Sequence, residues 1–377
     1  MLLRRLRERR GTALRSHGFA ALMATLWAAP AVVQADEPAW SRQKAAERLD
    51  ARQTWWSTWE SAKREPETSC VACHTGMPFV LARSALDPAN PGKAYDDLLV
   101  NVRKRVELWE TDAPYYDFKA RESRGTEAVL NALILATDDR RRHLTTADPS
   151  TTAALGRLWQ TQSTEGERKG SWPWLQFGDG GYEPWESRDA EYFGTALGAL
   201  AVGLVPGGPQ GAPADRLQAT RDYLRTFHLT WPDGRPQSLH NRLAAVWAST
   251  ALDGILTPEQ RTSVVDEVFA RQREDGAWAI ASLGNWTRKD GTPQSSNPDG
   301  YATGLAVVVL RRAGVAASDP RIKKAVEWLR ANQEASTGAW PGNSVHRQRA
   351  PSQAAWEFSR DAATSFAILA LTHPDTP

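Results

Sequence analysis

The sequence is poor in sulfur, since its 377 residues include two cysteines and three methionines. Two cysteines are too few for the disulfide framework of a small secreted scaffold or for a zinc site made of four cysteines. An excess of charge of one sign is also missing, because 46 basic and 44 acidic residues are interspersed along the chain. Without a basic patch, we do not expect nucleic acid to be a partner.

Long apolar runs are absent as well. The apolar segment Phe19–Ala29 is shorter than the roughly 20 residues that span a bilayer. It follows an arginine-rich stretch and precedes Val33-Gln34-Ala35, which fits a cleavage site, so residues 1–35 are expected to be an export signal. A membrane anchor is the alternative. The remaining residues 36–377 carry 40 basic and 43 acidic residues, and we expect them to form one periplasmic domain without a transmembrane segment.

The two cysteines lie three residues apart and are followed by a histidine, in Cys70-Val71-Ala72-Cys73-His74. Two thiols at this spacing can add to the vinyl groups of a haem, and the histidine can then ligate the iron. The pattern predicts one covalently bound haem c, with Cys70 and Cys73 as thioether anchors and His74 as the proximal ligand. A disulfide between the two cysteines and a fragment of a zinc site are the alternatives.

An internal repeat occurs six times. Each copy starts with polar residues and continues as a helix rich in alanine, leucine and valine. The apolar parts are GMPFVLARSAL (76–86), AVLNALILA (128–136), ALGALAVG (196–203), LAAVWAST (243–250), GLAVVVL (304–310) and SFAILAL (365–371). Because these helices are apolar around much of their circumference, we expect them to be buried.

A second, amphipathic helix precedes each apolar one. The predicted amphipathic helices are Ala39–Ala62, Lys93–Glu110, Asp148–Gln162, Ala214–Phe227, Pro258–Gln272 and Asp319–Gln333. In one of them, Leu98, Val102 and Val106 form a single stripe at helical spacing. The sequence therefore predicts an all-α protein, an (α/α)6 toroid of six inner and six outer helices. The haem motif lies at the start of the first inner helix.

The turns after two outer helices support this architecture. Gln272 to Trp278 and Gln333 to Trp340 resemble the glutamine–tryptophan repeats of squalene–hopene cyclases and prenyltransferase-type α/α toroids. A more diverged copy runs from Gln162 to Trp172. In such a turn the glutamine can bond backbone at a helix end, the glycine permits a left-handed turn, and the tryptophan packs beneath the next repeat.

The resemblance implies the scaffold and not the reaction. The Asp-x-Asp-Asp acid motif of hopene cyclases is missing, and neither cysteine lies where prenyltransferases bind zinc, so terpene cyclisation is not expected. Two bare pairs, Asp96-Asp97 and Asp138-Asp139, are interpreted as solvated surface charges.

In a ring of this kind the inner helices all begin at one mouth, where we expect the haem. Arg124, Arg188 and Arg360 precede or begin inner helices and are predicted to contact the haem propionates or another anion. The alternative is that the arginines and aspartates of these clusters cap helices and form ion pairs.

The sixth ligand of the iron decides between two kinds of redox function. Met77 lies on the same helix face as His74, so we interpret it as a packing residue. His346 and His240 are the candidates for a distal ligand. An open site predicts a haem-dependent oxidoreductase with a small apolar substrate, and a second histidine predicts electron transfer with an unknown donor or acceptor.

We therefore predict a periplasmic redox protein, leaving open whether it is an enzyme. The alternative discards the haem and describes a toroid that binds or processes a lipid, a terpenoid or a polysaccharide, with Cys70–Cys73 as a disulfide. A separate small cytochrome domain before residue 110 is disfavoured, because no flexible linker follows it.

Overall fold

The computed structural model describes residues 40–177, 183–209 and 211–372, so the predicted export signal lies outside the described residues. A short antiparallel hairpin of β1 (Lys63–Arg64) and β2 (Thr68–Ser69) precedes the second helix. None of the described helices is both long enough and apolar enough to cross a membrane. The helices of the described residues are α1 Arg42–Thr58, α2 Gly76–Leu86, α3 Lys93–Glu107, α4 Ala120–Arg141, α5 Pro149–Thr161, α6 Ala190–Leu204, α7 Ala214–Thr226, α8 Leu239–Ala251, α9 Pro258–Ala270, α10 Gly300–Arg312, α11 Pro320–Ala331 and α12 Ala354–Thr372.

The even-numbered helices form a closed inner ring. Each packs against the next one, and α12 packs against α2. The odd-numbered helices lie outside this ring, each against at least one neighbouring inner helix. Nearly all residues of α6 and α10 are buried, whereas α3 and α11 bury one stripe, as the patterns of apolar residues predicted. The predicted (α/α)6 toroid is confirmed.

Capping residues fix where several outer helices begin. The hydroxyl of Thr257 accepts a hydrogen bond from the backbone N–H of Gln260, and the Gln260 side chain accepts one from the backbone of Thr257. Pro258 occupies the first turn of α9, where its missing N–H costs nothing. In α11 the carboxylate of Asp319 accepts from the backbone N–H of Arg321.

The glutamine–tryptophan turns hold successive repeats together. Gln272 donates through Nε2 to the carbonyl of Gly276 (2.7 Å) and to that of Arg321 (2.9 Å), which ties the end of α9 to the start of α11. Trp278 is fully buried and donates through Nε1 to the carbonyl of Val268 at 2.7 Å. Gly276 has a φ of +91°, a conformation that favours glycine. The roles that we predicted for these residues are confirmed.

A turn of the same kind closes the ring. Gln333 accepts a hydrogen bond from the backbone N–H of Ser41 (2.6 Å) and donates to the carbonyl of Ser41 (3.1 Å), joining the end of α11 to the start of α1. Trp340 is fully buried, donates to the carbonyl of Leu329 (2.7 Å), and packs against Trp40 at a centroid distance of 5.9 Å. The first and last outer helices are therefore joined directly.

The interpretation of Asp138 and Asp139 as solvated charges is wrong. Both are buried at the end of α4. Asp138 pairs with Arg141 (2.8 Å), and Asp139 pairs with Arg142 (2.8 Å) while also accepting from the backbone N–H of Asp148 (2.9 Å). The pair holds the end of an inner helix to the start of the next outer helix.

Candidate functional site

Side chains at the starts of α2, α6, α8, α10 and α12 contact one another, so these inner helices begin at one face of the ring. At this mouth an aromatic row crosses the ring, formed by Phe358, His74, Trp185, Tyr301 and His240. His74 stacks on Phe358 at a centroid distance of 4.2 Å, and Trp185 meets Tyr301 edge-on at 5.1 Å. The Tyr301 hydroxyl lies 2.7 Å from Nε2 of His240. Five different repeats therefore contribute side chains to one surface.

His74 has one defined arrangement of hydrogen bonds. Its Nδ1 lies 2.8 Å from the hydroxyl of Thr75, and that hydroxyl donates to Asp361 at 2.9 Å. Because Thr75 uses its proton for Asp361, Nδ1 of His74 donates to the Thr75 oxygen and Nε2 carries the lone pair. Burial, assisted by the nearby charge of Arg52, lowers the pKa of His74 to about 3, so the imidazole is neutral.

The two cysteines are buried next to His74. Both are free thiols, so the disulfide in our alternative interpretation is not formed. Trp56 donates through its indole N–H to the carbonyl of Cys70 at 2.6 Å, and Tyr115 packs in the same cluster. Burial raises the pKa of Cys70 to about 12, and it raises the pKa of Cys73 as well. Both thiols are therefore protonated at neutral pH.

Two glutamates lie on either side of Trp185, in the turn Pro184–Glu186 that leads into α6. Among the described residues, neither Glu183 nor Glu186 has an ion-pair partner. Burial first, and the neighbouring charge of Glu183 second, raise the pKa of Glu186 to about 8. Burial first, and the Glu186 charge second, raise the pKa of the Cys73 thiol, so the Glu186 carboxyl lies near this cysteine.

Glu183 and Trp185 also have buried polar atoms without partners. Oε2 of Glu183 accepts from the backbone N–H of Val345 at 3.2 Å, and burial raises the pKa of the carboxyl. Within the described part of the chain, Oε1 of Glu183 and the indole N–H of Trp185 are buried without a hydrogen-bond partner. Unpaired buried polar atoms of this kind are available to a ligand.

The other acidic residues around the mouth are engaged in the fold. Asp361 accepts hydrogen bonds from Arg52 at 2.8 and 2.9 Å. Asp299 caps α10 by accepting from the backbone N–H of Ala302 (2.8 Å) and also bonds the N–H of Ile280 (2.8 Å), while burial raises its pKa to about 7. Glu183 and Glu186 differ from these because their carboxyls hold no helix or arginine in place.

The three predicted arginines all have acidic neighbours. Arg124 pairs with Glu127 at 3.2 Å, and Arg360 pairs with Glu334 and lies over the ring of Trp356. Arg188 is 59% exposed in its side chain and lies 3.6 Å from Asp233. The ion pairs favour the alternative that we stated for these clusters. Their contact with haem propionates stays a prediction.

The two candidate distal histidines also have defined neighbours. His240 places Nδ1 3.0 Å from the side-chain oxygen of Asn241, in addition to the Tyr301 contact of Nε2. Nε2 of His346 accepts from the guanidinium of Arg347 at 3.1 Å. Met77 is buried in the core, as expected of a packing residue. A role of His240 or His346 as an iron ligand stays a prediction.

Sequence reasoning missed the two glutamates and the relay from His74 through Thr75 to Asp361. The sequence analysis did not single out Glu186, which belongs to the polar start of a repeat. The available signal was the segment Glu183-Pro184-Trp185-Glu186, in which two carboxylates flank a tryptophan directly before an inner helix.

The chain was compared with known proteins and structures. No family model matches it, and no curated protein matches it. A GH76 α-mannanase from Bacteroides thetaiotaomicron is similar in structure, with a TM-score of 0.52 and 10% identity over 88% of this chain and 96% of that one. A GH76A α-1,6-mannanase from Salegentibacter sp. HEL1_6 has a TM-score of 0.50 and 12% identity, over 88% and 100%. An unsaturated glucuronyl hydrolase from Bacillus sp. GL1 gives 0.49 and 14%, over 88% and 96%.

These findings correct our main functional interpretation. The two mannanases that share the fold are carbohydrate-active enzymes, and no three or more His, Cys, Asp or Glu side chains of the described residues are grouped to hold a metal ion. The predicted redox function, with its iron and electron transfer, is therefore wrong, and the alternative of a polysaccharide-processing toroid is favoured. The covalent haem c is tested by neither finding. At this level of identity the likeness shows the fold, and that fold is the α/α toroid.

Proposed function

We propose that this protein cleaves a glycosidic bond of a polysaccharide at the mouth of the ring, with Glu186 as the general acid. The observation that carries the proposal is the Glu186 carboxyl, which burial and the charge of Glu183 keep protonated at neutral pH. A carboxylic acid with a raised pKa next to a second carboxyl is the usual pair for glycoside hydrolysis. The two α-mannanases that share the fold support a glycan as the substrate class.

The residues of the mouth divide the reaction between them. Glu186 donates its proton to the bridging oxygen as the bond from that oxygen to the anomeric carbon breaks. A water molecule adds its oxygen to the anomeric carbon and loses a proton to Glu183. Phe358 is the half-buried ring of the aromatic row and offers apolar surface to a sugar ring, while the unpartnered indole N–H of Trp185 donates to a sugar hydroxyl.

We propose the resemblance to squalene–hopene cyclases for the repeat architecture alone, and not for the reaction. The three glutamine–tryptophan turns support a shared repeat architecture, and no acid motif of those enzymes accompanies it. Export to the periplasm is likewise proposed on residues 1–35 alone.

A hydrolysis assay tests the proposal. Exported protein is incubated with α-1,6-mannan, neutral β-glucans and acidic glycans, and new reducing ends are measured. We expect Glu186→Gln to lower kcat by at least about 100-fold, since the general acid is lost. The control is Glu274→Gln, an exposed glutamate in the turn after α9. An unchanged rate in Glu186→Gln, or no cleavage of any of these glycans, would overturn the proposal.

The haem prediction has its own test. A pyridine haemochrome spectrum of the same exported preparation detects a covalently bound haem directly. The spectrum reports on Cys70 and Cys73 and is independent of the hydrolysis assay.

A further inference from the structure

A cavity of about 370 Å³ lies beside the aromatic row. It begins at Ser187, the residue that follows Glu186, and continues along the start of α8. Four of its lining side chains are arginines, and one is a tryptophan. We call it the arginine cavity, defined by Arg188, Arg235, Arg242, Arg271 and Trp286.

The charges that line the arginine cavity do not cancel. Its lining contains two carboxylates, Asp189 and Glu267, against four guanidinium groups. Arg235 pairs with Asp189 and with Asp233, both at 2.7 Å. Arg242 (2.6 Å) and Arg271 (2.7 Å) share Glu267, so four guanidinium groups have three carboxylate partners in all. The cavity therefore keeps an excess of positive charge.

Two of the arginines have donors available to a ligand. Arg188 is 59% exposed in its side chain, and its acidic neighbour Asp233 lies 3.6 Å away, outside the lining of the cavity. The Nε–H of Arg242 is buried and has no hydrogen-bond partner among the described residues. A guanidinium group binds a planar carboxylate or a sulfate through paired N–H donors, so an anion fits these groups better than a neutral hydroxyl does.

Trp286 connects this cavity to the proposed reaction site. Its ring is half-buried and meets the ring of His240 edge-on, at a centroid distance of 6.1 Å. His240 in turn contacts Tyr301, which packs on Trp185 between the two glutamates. A sugar ring stacked on Trp286 therefore lies next to His240, at one end of the aromatic row. Trp185 of the same row directly precedes Glu186.

We propose that the arginine cavity binds a negatively charged sugar of the substrate, one that carries a carboxylate or a sulfate. The inference rests on the proposed glycan cleavage and names its substrate class as an acidic polysaccharide. The excess positive charge selects the anion, and Trp286 selects a sugar ring over a free inorganic ion.

The test measures binding separately from cleavage. Isothermal titration compares an oligogalacturonate, a sulfated dextran oligosaccharide and a neutral α-1,6-mannooligosaccharide on the whole exported protein. We expect one of the two acidic ligands to bind at least tenfold more tightly than the neutral one, and its identity tells carboxylate from sulfate. Arg188→Gln weakens that binding about tenfold, since a charged hydrogen bond is lost.

Arg321→Gln is the matched control, because Arg321 is also about half exposed and paired with an aspartate, but begins an outer helix at the opposite face. Equal binding of neutral and acidic ligands, no acidic binding, or an unchanged affinity in Arg188→Gln would overturn the inference. If acidic ligands bind as expected and no glycan is cleaved, the cavity is supported while the proposed hydrolysis fails. If neutral glycans are cleaved without preference, the hydrolysis stands and the cavity fails.

Discussion

At the scale of single residues, the mouth of the ring favours neutral forms of groups that are charged in water. His74 is neutral because burial and Arg52 disfavour the imidazolium, and Glu186 is protonated because burial and Glu183 disfavour its carboxylate. Both effects cost folding free energy at the pH where the unfolded chain would be charged. A buried group whose pKa is shifted at such a cost in stability is a candidate functional residue.

The raised pKa of Glu186 has a consequence for stability. The unfolded carboxyl has a pKa near the ordinary 4.5, so between about pH 4.5 and about 8 the folded state binds more protons than the unfolded one. The free energy of unfolding therefore falls as the pH rises through this window. We compare the unfolding free energy of Glu186→Gln with that of the wild type. We expect this difference to favour the variant by about 2 to 4 kcal/mol more at pH 8 than at pH 4.5.

Urea unfolding at a series of pH values measures this effect. The expected difference is smaller than a fully buried carboxyl would give, because the Glu186 side chain keeps some solvent exposure. Glu274→Gln, on an exposed residue, is expected to follow the wild-type curve. Parallel curves for the wild type and Glu186→Gln would show that the carboxyl ionises normally in the fold.

A buried ion pair gives a second prediction at this scale. Arg105 is fully buried, and its guanidinium binds Glu127 (2.7 Å) and Asp112 (3.1 Å). Arg105→Met leaves the buried Asp112 without a counter-charge and leaves Glu127 with Arg124 alone, which we expect to cost about 3 to 5 kcal/mol of unfolding free energy. Arg157→Met removes the surface pair with Glu110 and is expected to cost less than about 1 kcal/mol. Equal losses in urea titrations would contradict this prediction.

At the scale of elements, the sequence predicted the helices because their signals are local. The stripe on α3, the cap at Thr257 and the alternation of apolar with amphipathic segments are all read within about 20 residues. The turn from Gln272 to Trp278 was predictable for the same reason. Glu183 and Glu186 were not, because their pKa values depend on side chains that only the closed ring brings near them.

The prediction that Asp138 and Asp139 are exposed to solvent was wrong for a related reason. The chain-local pattern around Asp138-Asp139 is that of a polar helix end. Asp138 is covered by Tyr95 and Arg103 of α3, which contact its carboxylate from 43 and 35 residues away in the sequence. Long-range placement of this kind is outside the reach of a periodicity argument.

The glycine of a glutamine–tryptophan turn gives a prediction for the elements. An added Cβ at Gly276 would lie 2.6 Å from Cγ and 2.7 Å from the backbone carbon of Lys324, and the residue has a positive φ. Gly276→Ala therefore combines backbone strain with a clash against α11, and we expect a loss of about 2 to 4 kcal/mol. Gly314 has a φ of +97° but open space around it, so Gly314→Ala is expected to cost about 1 kcal/mol. Thermal unfolding of the two variants separates the clash from the backbone strain. Equal decreases in Tm would show that the clash contributes nothing.

At the scale of the whole molecule, the ring places the two ends of its helical chain side by side. The outer helices α11 and α1 meet through Gln333 and Ser41, and Trp40 packs on Trp340 at the same joint. Arg48 and Arg52 of α1 reach Asp361 of α12, which also receives the hydrogen bond of Thr75. Closure of the ring therefore fixes both the scaffold and the relay that orients His74.

Because the ring closes at this joint, we expect a substitution there to loosen α1. An equivalent substitution in another turn should not do so. Gln333→Ala removes two hydrogen bonds between the end of α11 and the start of α1, and within the described residues α1 has a chain connection to the ring at one end only. We expect faster amide hydrogen exchange in Arg42–Thr58, since local opening at this joint costs less than global unfolding. Gln272→Ala removes equivalent bonds between α9 and α11, two helices held by the chain on both sides, and should leave exchange in α1 unchanged. Exchange measured by mass spectrometry on both variants decides the point. If both variants raise exchange evenly around the ring, the joint has no special weakness and the toroid opens only as a whole.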